Sequence, residues 1–491
     1  MLTKKTITLS LLALLLVMSF ASCASDTTSD APVPANESKA YLQIQVNVDG
    51  GAASRASRAD DNTFTDNPAG GEDGDGDDKG VEYERTVTNL NLLLYSSAKN
   101  DMTDDNAKIE QVIYFEHFSS VSGGSSGVSW TSGTREIPHS LVPQNYHMLV
   151  VANAGNMTSN WKGKTLKEVR DQLMQKVCNR NEQDIMKSTD FLMSSLADAQ
   201  LTPDGHTGSF EDPYQVNINI ERLAARIDIL PNAQYKYDKP TNTYTYNYNV
   251  KAADGTLLGG FVLEAVMPYN DVTSGEYLIK RVTNLTEQNS VNYNSKETAD
   301  AAYHSTNYVI CPWSKDRKTV SYRHDKKTIA DWEAMTFSDF YRTKKADKTH
   351  GADNNNGKAT APYYLKYYIL DYVMENTSFD NSEKTATGLV FKGTYYTADQ
   401  WEVAPAAEQV DGTFGKPKAG ATGTPKCYTY IIRHSDPSGT GTTSDPMHYG
   451  IVRNNIYRIK IEGVQGDGPE GLKLTVNVVP WARYEHEEVI Y

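Results

Sequence analysis

The sequence lacks several features that would place it in well-known protein classes. It has 4 cysteines in 491 residues, and none of them forms the Cys-x-x-Cys spacing of zinc and redox sites. Basic residues are not in excess, because 62 acidic residues against 48 basic ones give a net charge of -14. That charge argues against a nucleic-acid-binding protein. We therefore predict no metal site, no cofactor and no nucleic-acid partner.

Long apolar runs are also scarce. The longest one, Ile7–Phe20, follows Lys4 and Lys5. A transmembrane helix needs about 20 apolar residues, so the pattern predicts a signal peptide over residues 1–22. Cys23 follows small residues, as in a lipobox, and precedes a polar stretch, which predicts acylation of its thiol, palmitate included. The alternative is an ordinary signal-peptidase site that ends in cysteine.

The remaining cysteines are Cys178, Cys311 and Cys427, an odd set with no histidine at ligand spacing. At most one disulfide can form among them, so a disulfide framework is not expected. Buried structural thiols are the favoured state.

Short runs in which apolar and polar residues alternate dominate the rest of the chain. They are rich in Tyr, Val, Thr and Ile and are separated by Gly, Asn, Asp and Pro, which is typical of half-buried strands in antiparallel sheets. The clearest examples are Tyr41–Val48, Leu90–Tyr95, Tyr146–Asn153 and Val216–Ile220.

Helix signals are few. Thr165 and Glu168 form a capping-box pattern, after which Leu166, Val169, Leu173 and Val177 fall near one helical face. A weaker pattern surrounds Trp332 and Met335. We therefore predict a mainly β chain that folds into two β-sandwich-like domains with a few short helices and long loops.

The predicted boundary between the two domains lies near residues 230–240, where a strand pair gives way to a polar stretch. The predicted segments are a signal peptide (1–22), a lipidated propeptide with an exchangeable first strand (23–58), an N-terminal domain (59–232) and a C-terminal domain (233–491).

A stretch of small and acidic residues follows the first predicted strand, and no packed core can be built from it. It contains two Arg-Ala bonds, after Arg55 and Arg58, in the kind of exposed small-residue segment that proteases cut. Four acidic residues there have the spacing of an EF-hand calcium loop, but Asp78 stands where the loop needs glycine. A solvated linker is therefore favoured over calcium binding. The four residues are Asp73, Asp75, Asp77 and Glu84.

Two strands near opposite ends of the chain share one template. Each has four alternating aliphatic residues with polar residues between them. The first set is Leu42, Ile44, Val46 and Val48, and the second set is Leu472, Leu474, Val476 and Val478.

This likeness suggests strand exchange. If a protease cut after Arg55 or Arg58 and the first strand left, unpaired backbone and four apolar sockets would be exposed. The C-terminal segment 472–491 of another subunit has the alternation to fill them, through a glycine-rich linker at 463–468. The competing interpretation is that such strands are common in any β protein.

The chain resembles the fimbrillin family of protease-matured (type V) pili of Bacteroidales, in particular its minor-fimbrium shaft subunits. The segments that carry the resemblance are Cys23, Arg55 and Arg58, Leu149–Asn153, Glu221–Ile227, Tyr372–Thr377, Val390–Gly393, Arg453–Tyr457 and Val476–Trp481.

The resemblance implies transthyretin-like domains and a lipoprotein that reaches the outer membrane and loses its first strand to an arginine-specific protease. It further implies polymerisation through a C-terminal donor strand, with copies of itself and with anchor and tip subunits as partners. An extracellular fimbrium that adheres to host or bacterial surface ligands is the expected product. This chain departs from the minor-fimbrium subunit in lacking a long insertion before its last strand.

No enzyme is predicted, because no paired carboxylates, metal cluster or triad can be assembled from these spacings. The alternative function is a binding module, namely a non-polymerising tip or anchor adhesin or a glycan-binding surface lipoprotein. Exposed tyrosine and tryptophan side chains that stack on sugars would serve it, although such residues more often belong to strand cores.

Overall fold

The computed structural model shows a chain built mainly from β-strands. The described residues are 39–48, 82–96, 106–121, 129–141, 146–178, 191–195, 199–200, 205–233, 235–274, 321–350, 365–374, 376–377, 383–403, 415–433, 449–451, 453–466 and 471–480. The prediction of a mainly β fold with a few short helices is confirmed. No helix of these residues is both long and apolar enough to cross a membrane. The predicted sites that lie outside the described residues are Cys23, Arg55, Arg58, Asp73–Asp78, Cys311 and 481–491.

The first ten strands form one sheet. They are β1 (Lys39–Val48), β2 (Asn89–Tyr95), β3 (Ile109–Glu116), β4 (Phe118–Val121), β5 (Ser129–Ser132), β6 (Arg135–Pro138), β7 (His147–Ala152), β8 (Met193–Ser195), β9 (Ala199–Gln200) and β10 (Tyr214–Arg222).

A second ten-stranded sheet and three two-stranded ribbons contain the later strands. They are β11 (Ala225–Leu230), β12 (Tyr235–Asp238), β13 (Thr243–Lys251), β14 (Leu257–Tyr269), β15 (Asp271–Ser274), β16 (Ser321–Arg323), β17 (Lys348–His350), β18 (Leu365–Val373), β19 (Asn376–Thr377), β20 (Gly388–Thr397), β21 (Trp401–Val403), β22 (Gly415–Pro417), β23 (Thr424–Ile431), β24 (Gly450–Ile451), β25 (Asn455–Gln465) and β26 (Leu472–Pro480).

The helices are short. The α-helices among the described residues are α1 (Thr158–Trp161), α2 (Leu166–Cys178) and α3 (Ile329–Ala334), and the 3₁₀ turns are Glu82–Glu84, His139–Leu141, Phe337–Asp339 and Ala398–Gln400.

The alternating strands predicted from the sequence are present as β1, β2, β7 and β10. In β10 apolar and polar residues alternate between buried and exposed positions along most of the strand, as a half-buried strand requires. The prediction of half-burial is wrong for β2 and β7, whose residues are buried on both faces. Leu93 and Leu149 on one of these faces pack in the same core cluster as Leu166 of α2, so helix covers a face that the pattern assigned to solvent.

Helix α2 begins at the predicted capping box. The backbone N–H of Thr165 donates to Glu168 Oε2 (2.8 Å), and the backbone N–H of Glu168 donates to Thr165 Oγ1 (3.2 Å). These bonds satisfy donors that a helix start leaves open. Val169 and Leu173 then point into the core that α2 shares with the first sheet. The weaker prediction near Trp332 is also confirmed, because α3 spans that residue and buries it.

The second sheet is not purely antiparallel, and here the sequence-based expectation is wrong. Strand β25 runs parallel to β11, with Arg226 opposite Ile456, and parallel to the end of β13. One face of this sheet carries a large core that includes Ile229, Phe261 and Ile459. The other face packs Trp332 of α3 against a smaller core that contains Cys427. The thiol of Cys427 is free and buried, as predicted, and burial raises its pKa to about 12.

The chain divides into two compact units. Of the described residues, the first unit holds 39–43, 134–141 and 205–216, and the second holds the remainder. In the first unit the beginning of β1 pairs with β6, with Ala40 opposite Ile137, and the loop 205–213 lies beside Tyr41. The second unit contains all three cores described above.

The two large sheets share no strand among the described residues, and the change from one to the other falls between Arg222 and Ala225. Strand β11 therefore pairs with β18 and β25, although the predicted N-terminal domain includes it by number. The domain bounds, the sandwich arrangement and the transthyretin-like topology remain predictions.

Candidate functional site

The first strand is an internal strand of its sheet. Its beginning pairs with β6 through Leu42 and Arg135, and its end pairs with β5 through Val46 and Trp130. On its other side the neighbour is β10. A strand with neighbours on both sides cannot leave without breaking hydrogen bonds on both edges.

The four aliphatic side chains of the predicted exchangeable strand are all buried. Leu42, Ile44 and Val46 have no exposed surface, and Val48 is 1% exposed. The polar residues between them are less uniform, since Gln43 and Gln45 are half-buried but Asn47 is buried. The alternation therefore places four apolar groups on the covered face of the sheet.

Asn47 is a residue that the sequence analysis missed. Its Nδ2 donates to Asn219 Oδ1 on β10 (3.1 Å), and its Oδ1 accepts from Ser129 Oγ on β5 (2.8 Å). A further polar contact joins Ile44 N–H to Ser132 Oγ (3.0 Å). A buried amide needs hydrogen-bond partners. Those of Asn47 lie on both neighbouring strands, so Asn47 ties β1 to each of them.

The last described strand has a different setting. Strand β26 pairs antiparallel with β25 from Asn455 opposite Pro480 to Val464 opposite Leu472. Among the described strands, β25 is its single partner, so β26 lies at an edge of the second sheet. Leu472 and Leu474 are half-buried and pack against the main core of that sheet. The predicted donor strand is therefore docked on its own chain.

The predicted flexible linker before β26 is shorter than expected. Gly463 to Gln465 belong to β25, and the backbone N–H of Gly466 donates to Lys251 O (2.8 Å). The backbone N–H of Gln465 donates to Gly471 O (2.6 Å), which closes the connection between β25 and β26. The prediction that the whole of 463–468 is linker is wrong, because its first residues complete strand β25.

A buried charge cluster lies where the sequence motifs meet. The guanidinium of Arg226 donates to Asp228 twice (2.8 and 2.7 Å) and to Glu84 Oε2 (2.9 Å), and all three side chains have no exposed surface. Tyr372 Oη also donates to a carboxylate oxygen of Glu84, and Arg458 Nε lies 3.4 Å from Asp228 Oδ2. Burial raises the pKa of Asp228 to about 6, while Arg226 opposes that rise.

A second group of contacts continues this cluster. Arg453 Nε lies 2.8 Å from Glu221 Oε1, and Arg222 Nη1 donates to Asn454 Oδ1 (3.2 Å). Arg222 Nε also donates to Glu84 O (2.8 Å). These contacts join the end of β10 to the turn that precedes β25, and Glu84 connects them to Arg226 of β11.

Three motifs that were separate in the sequence thus contact one another, namely those at 221–227, 372–377 and 453–457. Glu84 joins them as an ion-pair partner of Arg226. Its complete burial contradicts the favoured interpretation of Glu84 as part of a solvated linker. The sequence signal that could have predicted this cluster is Arg226-Ile227-Asp228-Ile229. Residues two apart in a strand lie on the same face, so the opposite charges of Arg226 and Asp228 are neighbours. Removing one partner of such a buried pair costs about 3–5 kcal/mol.

Comparison with known proteins gives structural similarities alone. No family model matches the chain, and no curated protein matches it. Among solved structures, the tip fimbrial protein Mfa3 of Porphyromonas gingivalis, truncated at its C-terminus, is 11% identical over 90% of this chain and 100% of that one, with a TM-score of 0.34. The fimbrilin FimA of the same organism is 14% identical over 91% and 99%, with a TM-score of 0.36.

A fimbrial assembly protein of Parabacteroides distasonis is 10% identical over 90% of this chain and 100% of that one, with a TM-score of 0.29.

Proposed function

We propose that this chain is a structural subunit of a cell-surface fimbria that polymerises by strand exchange. An arginine-specific protease cuts after Arg55 or Arg58, β1 leaves its sheet, and the C-terminal strand of another copy takes its place. Cys23 carries the lipid that holds the precursor at the outer membrane. The partners are further copies of the chain, anchor and tip subunits, and surface ligands of a host or of other bacteria.

The observation that carries this proposal is the position of β1. It is an internal strand with four fully covered aliphatic side chains, and the sequence after it contains two Arg-Ala bonds. Burying four such side chains is worth about 6–12 kcal/mol before ordering costs. A groove left by β1 would therefore bind a strand of the same pattern strongly.

The edge position of β26 supports the second half of the proposal. A strand with one neighbour leaves its sheet by breaking one ladder of hydrogen bonds. Leu472 and Leu474 are half-buried on their own chain, whereas the equivalent positions in β1 are fully buried. The exchange therefore moves aliphatic side chains from partial to complete burial, which favours the polymer.

The experiment uses precursor expressed from residue 24 onward, so that no lipid is present. The protein is treated with an arginine-specific protease, its size is followed on native gels, and mass spectrometry identifies the new N-terminus. Polymers that appear after cleavage at Arg55 or Arg58 support the proposal. Cleaved protein that stays monomeric contradicts it.

A matched pair of peptides tests the identity of the donor. A peptide of residues 471–491 is expected to occupy the groove of cleaved subunits and to stop polymer growth. The control peptide carries serine at 472, 474, 476 and 478, which keeps the backbone but removes the apolar side chains. Equal inhibition by the two peptides would show that these residues do not select the donor.

A second candidate function is a non-polymerising adhesin or glycan-binding lipoprotein. The observation that favours it is an exposed tyrosine cluster on the β12–β13 hairpin. Tyr235 and Tyr237 are 40% and 44% exposed, and their ring centroids lie 5.1 and 4.9 Å from that of Tyr244. Aromatic rings of this kind stack on sugars. Cleaved monomers that bind an immobilised glycan through these rings would favour this function.

A further inference from the structure

The beginning of β1 rests on a loop that carries Phe210, the most exposed large apolar side chain among the described residues. The ring of Phe210 lies edge-on against the ring of Tyr41, with centroids 5.4 Å apart and an interplanar angle of 84°. The backbone N–H of Tyr41 donates to Gly208 O (2.9 Å). Phe210 is 61% exposed even with this contact. Residues 205–213 are called the Phe210 loop below.

The Phe210 loop is held by its own hydrogen bonds. Asp212 Oδ2 accepts from the backbone N–H of Thr207 (2.8 Å), and its Oδ1 lies 2.6 Å from His206 Nδ1. The backbone N–H of Asp212 donates to Ser209 Oγ (3.0 Å). The bond from His206 is the largest cause that lowers the pKa of Asp212 to about 2, so this carboxylate stays charged at neutral pH.

Gly208 is required at its position for two reasons. Its φ of +71° lies in the left-handed region, and a Cβ there would meet the ring of Tyr214 at 2.3 Å. The carbonyl of Gly208 is thus presented to β1 by a fixed backbone. The bonds described for His206, Thr207, Ser209 and Asp212 join residues of the loop to one another and need no partner from β1.

We infer that the Phe210 loop is preformed and that its contacts set the register of the strand that replaces β1. This inference rests on the proposed function, and the strand in question is the C-terminal strand of a second copy. When Tyr41 leaves, the Gly208 carbonyl loses its donor and the Phe210 ring loses its neighbour. An incoming strand that fills all four apolar positions gives the carbonyl a donor and the ring a neighbour in one register. A shift of one residue turns its side chains to the other face, and a shift of two residues leaves an apolar position unfilled.

The shared template gives the residue that replaces Tyr41. If the four aliphatic residues of the donor occupy the four positions of β1 in the same direction, Gly471 takes the place of Tyr41. If the donor runs in the opposite direction, Val479 takes it. In either case one donor residue lies against Phe210 in every junction of the polymer.

Photo-cross-linking tests the register directly. Phe210 is replaced by p-benzoylphenylalanine, and cleaved isotopically labelled and unlabelled subunits are polymerised together so that links between copies are identified by mass. Links confined to the neighbour's strand within one residue of Gly471 or of Val479 are the expected result, and they also report the direction of insertion. Links between copies that scatter along residues 472–491, or that miss this strand, overturn the inference.

A substitution pair tests the contribution of the ring. Loss of the apolar contact between the Phe210 ring and the donor strand corresponds to about three- to ten-fold weaker binding. The variant Phe210→Ala is therefore expected to retain the inhibitory peptide 471–491 about that much less well. Val403→Ala truncates another exposed apolar side chain (42% exposed) and should leave retention unchanged. Circular dichroism checks that both variants are folded.

The outcomes separate the inference from the proposed function. Absence of polymer and of peptide binding in the unsubstituted cleaved protein overturns both. The inference alone is overturned if polymers form normally and Phe210→Ala retains the peptide 471–491 as well as the unsubstituted protein does. It is also overturned if both variants lose peptide retention to the same extent.

Discussion

Strands β1 and β26 carry the same alternation of four aliphatic residues, yet the structure places them in opposite settings. Strand β1 is internal, hydrogen-bonded on both sides and tied to both neighbours through Asn47. Strand β26 lies at an edge, and Leu472 and Leu474 are half-buried. The difference shows that strand release depends on neighbours more than on composition.

This contrast gives proteolysis a physical role. An internal strand that is still covalently attached returns to its groove as soon as it leaves, because its local concentration is high. Cutting the chain after Arg55 or Arg58 removes that advantage, and the strand is then lost by dilution. An edge strand such as β26 needs no cut, since it breaks a single ladder.

The largest expected effect comes from preventing β1 from leaving. Gln45 and Thr131 are directly opposite on β1 and β5 and are both half-buried. Their Cα separation in an antiparallel pair suits a disulfide. We expect Gln45→Cys with Thr131→Cys to abolish polymerisation of the cleaved, oxidised protein, and reductant to restore it.

The control for this tether is the single variant Gln45→Cys, which should polymerise with and without reductant. Native gels before and after reduction make the measurement. Polymerisation of the oxidised double variant, with the disulfide verified by mass spectrometry, would show that β1 stays in place during assembly.

The next prediction concerns how much the buried charge cluster stabilises the second sheet, which holds β26. Arg226→Met leaves Glu84 and Asp228 without their shared guanidinium, and the expected loss in the free energy of unfolding is about 3–5 kcal/mol. The matched control is Lys39→Met, which removes a pair with Glu136 whose side chains are 56% and 51% exposed. Exposed pairs contribute little to stability, because water and salt screen them. Urea unfolding measures both, and equal losses would contradict the role of burial.

The two strands are compared most directly by equivalent truncations. Ile44→Ala removes a fully buried side chain from β1, and we expect a loss of about 2–5 kcal/mol. Leu474→Ala acts on a half-buried side chain, so about half of that loss is expected. Urea unfolding of the uncleaved precursors gives the loss in the free energy of unfolding for each variant. A larger loss for Leu474→Ala than for Ile44→Ala would contradict this expectation.

The last expected effect is a pH dependence that involves neither strand. Burial raises the pKa of Asp271 to about 7, with Asp371 adding to the rise and Arg323, 3.6 Å away, opposing it. The folded state then holds a proton between about pH 4 and 7 that the unfolded state has released, so stability falls as pH rises through that interval.

Asp271→Asn keeps a neutral group at this position and should flatten that fall, by about 2–5 °C in Tm across the interval. Differential scanning calorimetry from pH 4 to pH 8 makes the measurement. An unchanged pH profile in the variant would mean that Asp271 is ionised in the folded protein throughout.

Much of the strand content could be predicted from local pattern, and the reasons are visible in particular residues. Leu42, Ile44 and Val46 alternate because one face of β1 is covered, and Thr165 precedes α2 because a helix start needs a side-chain acceptor. Both signals lie within a few residues of sequence. Burial of β2 on both faces was missed because its covering helix, α2, is distant in the sequence.

In the candidate site, too, the features with a local sequence pattern could be predicted and the contacts between distant residues could not. The aliphatic template of β1 was readable, but the bridge formed by Asn47 depends on Asn219 and Ser129, which lie far along the chain. The contact between Arg222 and Asn454 likewise has no local signature. Parallel pairing of β11 with β25 joins strands from opposite parts of the sequence and cannot be inferred from either strand alone.

The edge and internal positions also have a mechanical consequence. A force along the axis of a strand held between β10 and β5 acts in shear, so the hydrogen bonds of both ladders share the load and must rupture together. A force that lifts β26 from β25 at one end acts on a single bond at a time, and the strand peels. The same alternating sequence is therefore easy to detach where it is stored and hard to pull out where it would be inserted.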